Sequence, residues 1–203
     1  MIQFTLQKEP PTFDVRCRER GQNWLAANPV YKRPPDYWTE FEGDLRAGFN
    51  GLCGYCAMRI MKGHVDHFVQ VALLKKSGRD AEAYEWSNFR YGDGTINGRK
   101  WKHLVLDPFV VQPGWFRIIL PSLQLEMTDA IPQPQRTLAE FTIKQLGLRD
   151  DEVVIRYRRE WFSMYQRGNL DIDGLTAVAP LIAEAVQLDL DAGTDWRING
   201  GVT

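Results

Sequence analysis

The chain has no apolar run approaching the roughly 20 residues that a membrane span needs. It has only three cysteines in 203 residues and no excess of charge of either sign. The first absence argues against an integral membrane protein. The cysteines, at positions 17, 53 and 56, are too few for a multi-disulfide framework and point to a reducing cytoplasm. The opening stretch Met1–Lys8 lacks a charged start leading into an apolar core, so no secretory signal is expected. With 25 Lys and Arg against 26 Asp and Glu, the formal charge is -1. Taken alone, that balance argues against a generic nucleic-acid binder.

Repeats, low-complexity tracts and long polar linkers are also lacking, so one compact α+β unit is expected, with three stretches of different character. Residues 1–50 read as a helical segment. Val15, Trp24 and Leu25 lie on a helix over Asp14–Ala27, ended at Asn28-Pro29, and Asp36 is a candidate N-cap for Tyr37, Trp38, Phe41, Leu45 and Phe49. Residues 51–102 break into short apolar runs among glycines. Residues 103–203 read as strands followed by helices that pack on the core. Phe116, Ile118 and Leu120 alternate, as do Leu123, Leu125 and Met127, with Pro121-Ser122 as the turn. Thr137 and Glu140 form a capping-box pattern before a helix ended by Gly147. Val153, Val154, Tyr157, Trp161, Met164 and Tyr165 make one apolar stripe, and Leu175 to Leu188 another.

The chemistry-bearing residues concentrate in the central stretch: Cys53-Gly-Tyr-Cys56, His64, Asp66-His67, Asn88 and Asn97-Gly-Arg-Lys100, with Lys102 just after. Each has a plain structural reading. A closed zinc site takes four thiolate or imidazole ligands. Without a second CxxC, Cys53 and Cys56 complete one only if the fold brings Cys17 and His64 to them. Asp66 and His67 on a regular strand would face opposite ways. Asn88 and Asn97 are ordinary turn or cap residues, and Trp86 and Phe89 ordinary core.

Taken in order, however, CxxC, Asp-His, Asn and Asn-x-x-Lys resemble the HNH (ββα-metal) endonuclease family, in its Asp-His variant. The matching stretch, residues 51–102, covers about a quarter of the chain. The phrase Tyr84-Glu-Trp-Ser-Asn88 is similar to one in HNH subunits of bacterial anti-phage defence systems. The resemblance implies a ββα-metal core flanked by N-terminal helices, extra strands and a C-terminal helical segment. It further implies a DNA endonuclease in which His67 is the general base, and Asp66 and Asn97 hold one Mg²⁺ or Mn²⁺. Asn88 would steady the Asp66-His67 segment, and Arg99, Lys100 and Lys102 would contact phosphate. An ATPase or other effector subunit is the implied partner.

The chain departs from the family pattern in two places. A proline often follows the histidine by three residues, where this chain has Gln70. Members stapled by zinc have a second CxxC where this chain has Asp93 and Ile96, so a structural zinc is not expected at Cys53 and Cys56. His64 reads as a strand-surface residue, and His103 as a surface or phosphate-contacting one. Two other readings stay open: an RNA-directed nuclease, and a non-catalytic adaptor that keeps the core and binds a partner through its C-terminal helices. Charge is unevenly spread. Residues 59–102 hold nine Lys and Arg against five acids, while residues 169–203 hold six acids and one Arg. Phosphate responds to the local field, so the total charge does not exclude nucleic acid.

Overall fold

The computed structural model describes residues 1–198. It is an α+β molecule of short helices and two small antiparallel sheets. A π-helical turn, Asp14–Glu19, runs into α1 (Arg20–Ala27), and a 3-10 turn, Tyr37–Phe41, runs into α2 (Glu42–Gly48). Asp36 precedes that turn but does not cap it with its side chain, which pairs with Arg33 instead. The centre follows as β1 (His64–His67), α3 (Val71–Lys76), β2 (Phe89–Gly92) and α4 (Gly94–Lys100). A second hairpin, β3 (Phe116–Ile119) and β4 (Gln124–Met127), pairs across the expected turn.

The C-terminal part is α5 (Gln133–Leu146), α6 (Glu152–Gln166), α7 (Ile172–Val178) and α8 (Pro180–Asp191). Two expectations change here. Helix α5 starts before Thr137, because Pro132 and Pro134 hold helix-compatible φ where no N–H is needed, leaving Thr137 inside the helix. The single C-terminal stripe becomes two helices, broken where Ala179 leaves the helical conformation ahead of Pro180. Gly147 ends α5 in the left-handed conformation, as its sequence position suggested.

One buried apolar cluster runs through all three stretches of the chain, from Phe13 and Trp38 through Tyr55 and Phe89 to Val154 and Ile182. Burying these side chains supplies the main driving force for folding. Arg90 on β2 joins the central sheet to the following loop. It makes two hydrogen bonds to the Asp107 carboxylate, at 2.8 and 2.6 Å, and lies 3.8 Å above the Phe109 ring. Among the described residues, no helix is long and apolar enough to cross a membrane.

Candidate active site

Strand β1 pairs antiparallel with β2 in the register His64–Gly92, Val65–Tyr91, Asp66–Arg90 and His67–Phe89. Helix α4 leaves directly from the end of β2. The turn between them is held without a second cysteine pair. The Asp93 carboxylate caps α4 by accepting from the N–H groups of Thr95 and Ile96, at 2.9 and 3.1 Å. The Cys53–Cys56 knuckle pins the same corner, with the Gly54 N–H donating to the Tyr91 carbonyl and the Asp93 N–H to Cys53 Sγ. Gly63 is required beside it, since a Cβ there would fall 2.2 Å from the Tyr91 ring.

This strand–strand–helix arrangement brings Lys100, at the end of α4, to Asp66. Both side chains are fully buried, and Lys100 Nζ donates to Asp66 Oδ1 at 3.1 Å and to the His67 carbonyl at 2.7 Å. Tyr55 Oη donates to Asp66 Oδ2 at 2.5 Å, and Gln70 Nε2 to Oδ1 at 3.1 Å. Burial pushes the Asp66 carboxyl up and the Lys100 ammonium down, each opposed by the charge of the other.

His67 lies beside this network, walled by aromatic edges, with ring centres 4.4 Å from Trp38 and 5.2 Å from Phe89. Its Nε2 is 2.9 Å from the Ala83 carbonyl. A carbonyl can only accept, so Nε2 carries the proton, and in the neutral ring Nδ1 keeps its lone pair. Burial lowers the imidazole pKa from 6.5 to about 4, against the opposing pull of that hydrogen bond. The ring is therefore neutral at pH 7.

Asn88 braces the chain just past His67. Its Oδ1 accepts from the Val69 N–H at 2.8 Å, and its Nδ2 donates to the Val69 and Glu82 carbonyls at 3.1 and 3.2 Å. Asn97 is half-buried on α4, three residues before Lys100. His64 is exposed on β1, and His103 is exposed with its ring against Phe141.

The cations expected at phosphate are placed differently. Lys100 is a correction: it is fully buried at Asp66 and offers nothing to an external phosphate. Arg99 is half-buried and ties α4 to the start of α6, through Asp151 at 2.8 Å and the Leu146 carbonyl at 3.1 Å. Of the three, Lys102 alone is exposed, over the ring of Trp101. Tyr55, Gln70 and the Ala83 carbonyl were not picked out by sequence reasoning as partners of the site. Gln70 did carry a signal, since it stands where the resemblance expected proline.

Two donors at this spot suit a hard cation, the Asp66 carboxylate and the His67 carbonyl, and no side-chain contact joins Asn97 to them among the described residues. The Lys100 ammonium already bridges the two, so the spot is built to hold positive charge. A divalent ion bound there must displace that ammonium. Among the described residues, no group of three or more His, Cys, Asp or Glu side chains converges on a metal position. Cys53 and Cys56 are both buried, and Cys53 Sγ accepts from the Asp93 N–H.

A scan against protein-family models returned no match, and searches of curated proteins and of solved structures returned none either.

Proposed function

We propose that the chain is an HNH-type endonuclease that hydrolyses phosphodiester bonds in DNA. The observation that carries this reading is the fixed tautomer of His67 at the end of the first strand of a strand–strand–helix unit. With Nε2–H committed to Ala83, Nδ1 is the atom that takes the proton from the attacking water. The low pKa keeps that lone pair available at neutral pH, at some cost in basicity. Asn88 holds the adjoining backbone so that the imidazole keeps its aim. Asp66 and Asn97 are the residues that would hold Mg²⁺ or Mn²⁺. When bound, such an ion would stabilise charge on the phosphorus centre and the leaving oxygen.

The resemblance in residues 51–102 supports the same reading. A cytoplasmic location fits the cysteine usage. A role in bacterial defence beside an ATPase or other effector rests on the phrase Tyr84–Asn88, and co-purification tests it. Incubation of supercoiled plasmid with purified protein and Mg²⁺ or Mn²⁺ tests the activity: nicking that depends on His67 is expected, and equal nicking by His67→Ala overturns it. Parallel labelled DNA and RNA substrates decide the nucleic acid.

One observation favours a second reading, a non-catalytic adaptor that keeps the core for its shape. The Asp66–Lys100 pair is already closed and fully buried. Calorimetry showing no divalent-ion binding, even with nucleic acid present, would favour the adaptor.

A further inference from the structure

The α6 stripe that looked like core in the sequence is only partly covered. Tyr157 is 44% exposed, and Trp161 and Met164 are half-buried. Spaced i, i+4 and i+7, these three line one wall of a groove of about 420 Å³. The opposite wall is the Met58–Lys62 segment, on which Met61 is 88% exposed, and the floor includes Asp93 and Ile96 at the start of α4. The groove therefore begins one residue from Asn97.

A second stripe runs beside the first along α6 to its C-cap: Arg156, Arg159, Ser163 and Arg167, at i, i+3, i+7 and i+11. It spans about 16 Å at the helical rise. All three arginines are exposed, and none pairs with an acid among the described residues. Lys62 is exposed on the other rim. Of the two acids among the groove-lining residues, Asp93 is committed to capping α4, which leaves Glu160 to oppose these cations.

We propose that this groove is where a single strand of nucleic acid binds, with bases against Tyr157 and Trp161 and phosphates along Arg156, Arg159 and Arg167. The inference deepens the nuclease reading and rests on it for the choice of ligand. Aromatic faces flanked by a row of unpaired cations are the arrangement that holds single strands without sequence preference. The charge argument is specific to this chain: Arg99 and Lys100 are used inside the fold, while Arg156, Arg159 and Arg167 on α6, with Lys62 on the other rim, are exposed and make no ion pair among the described residues. An acidic peptide is the other occupant that such a groove admits. Three unpaired arginines along about 16 Å of one helix face match the repeating charge of a phosphodiester backbone, which favours the nucleic acid.

The test is fluorescence anisotropy with a labelled single-stranded oligodeoxynucleotide, in EDTA and on the His67→Ala background, so that hydrolysis plays no part. The double variant Arg156→Glu/Arg159→Glu is expected to bind at least ~10-fold more weakly, with the slope of log K against log salt shallower by about 1.4. Tyr157→Ala is expected to weaken binding ~5-fold or more. The control Lys76→Glu/Lys144→Glu, with the same change in charge on other elements, is expected to stay within twofold of the parent, and thermal melting checks that each variant is folded. If the two double variants bind alike, the proposal is overturned. It is equally overturned if the groove takes an acidic peptide through Arg156 and Arg159 while the oligonucleotide does not bind. Failure of the nuclease reading would appear separately, as plasmid nicking that does not depend on His67.

Discussion

Lys100 Nζ lies 3.1 Å from Asp66 Oδ1, with both side chains completely buried and 34 residues apart in the chain. The pair closes the strand–strand–helix unit from within. Removing one partner strands the other charge in a low-dielectric site, which typically costs 3–5 kcal/mol, whereas removing both costs much less. Lys100→Met is therefore expected to lose roughly that amount in urea denaturation, and Asp66→Asn/Lys100→Met to recover a large part of it. Equal stabilities for the two variants would contradict the coupling.

The same geometry makes Lys100 a competitor for any cation at Asp66. Mn²⁺ is expected to raise the melting temperature of Lys100→Met more than that of the parent chain, because the variant has lost its internal ammonium. An equal response of the two proteins would place the ion elsewhere.

His67 makes stability depend on pH. Its pKa is lowered by burial from 6.5 to about 4 and returns to its ordinary value on unfolding. The unfolded chain therefore binds more protons between those pH values. The stabilisation is complete above about pH 6.5 and is lost as pH falls toward 4, by about 3 kcal/mol in all. Chemical denaturation at pH 7 and pH 4.5 is expected to show a steeper fall for the parent than for His67→Gln. Parallel profiles would show that His67 is not held neutral.

Asn88 makes three side-chain hydrogen bonds to backbone groups of Val69 and Glu82. Asn88→Ala is expected to cost about 2–3 kcal/mol in denaturation, from bonds of roughly 1 kcal/mol each. It is also expected to slow plasmid nicking while the protein remains folded. Unchanged nicking would remove Asn88 from the positioning of the site.

The thiols provide an independent check on the core. Cys17 is buried, with its pKa pushed up to about 12 by desolvation, and Cys53 and Cys56 are buried behind the β2–α4 corner. A thiol-reactive reagent is expected to label none of the three in the native state at pH 8 and all three in denaturant. Rapid native labelling would contradict that packing.

Local features were legible in the sequence, and features made by distant contacts were not. Alternation at Phe116–Leu120 and Leu123–Met127 located the second hairpin, because one sheet face is buried and the pattern has period two. Gly147 marked a helix end, because only a left-handed residue closes α5 there. Thr137 misled, because a capping pattern is weaker than two prolines just upstream. Lys100 misled for a deeper reason. Within Arg99-Lys100-Trp101-Lys102 it reads as a surface cation, and only the long-range contact made in the fold shows that it points inward to Asp66. The Tyr157, Trp161 and Met164 stripe was correctly helical, but period alone does not say what covers a face. The partners of His67 were out of reach for a similar reason, since a backbone carbonyl such as that of Ala83 leaves no mark in residue identity.

The most direct test of the central claim is the rate of supercoiled-plasmid nicking in Mn²⁺ by the parent chain and by His67→Ala, measured at pH 7.5 with matched, folded protein. A general base is worth about 100-fold or more. The account predicts that His67→Ala is slower by at least that factor while still binding the oligonucleotide like the parent. Equal rates would contradict it.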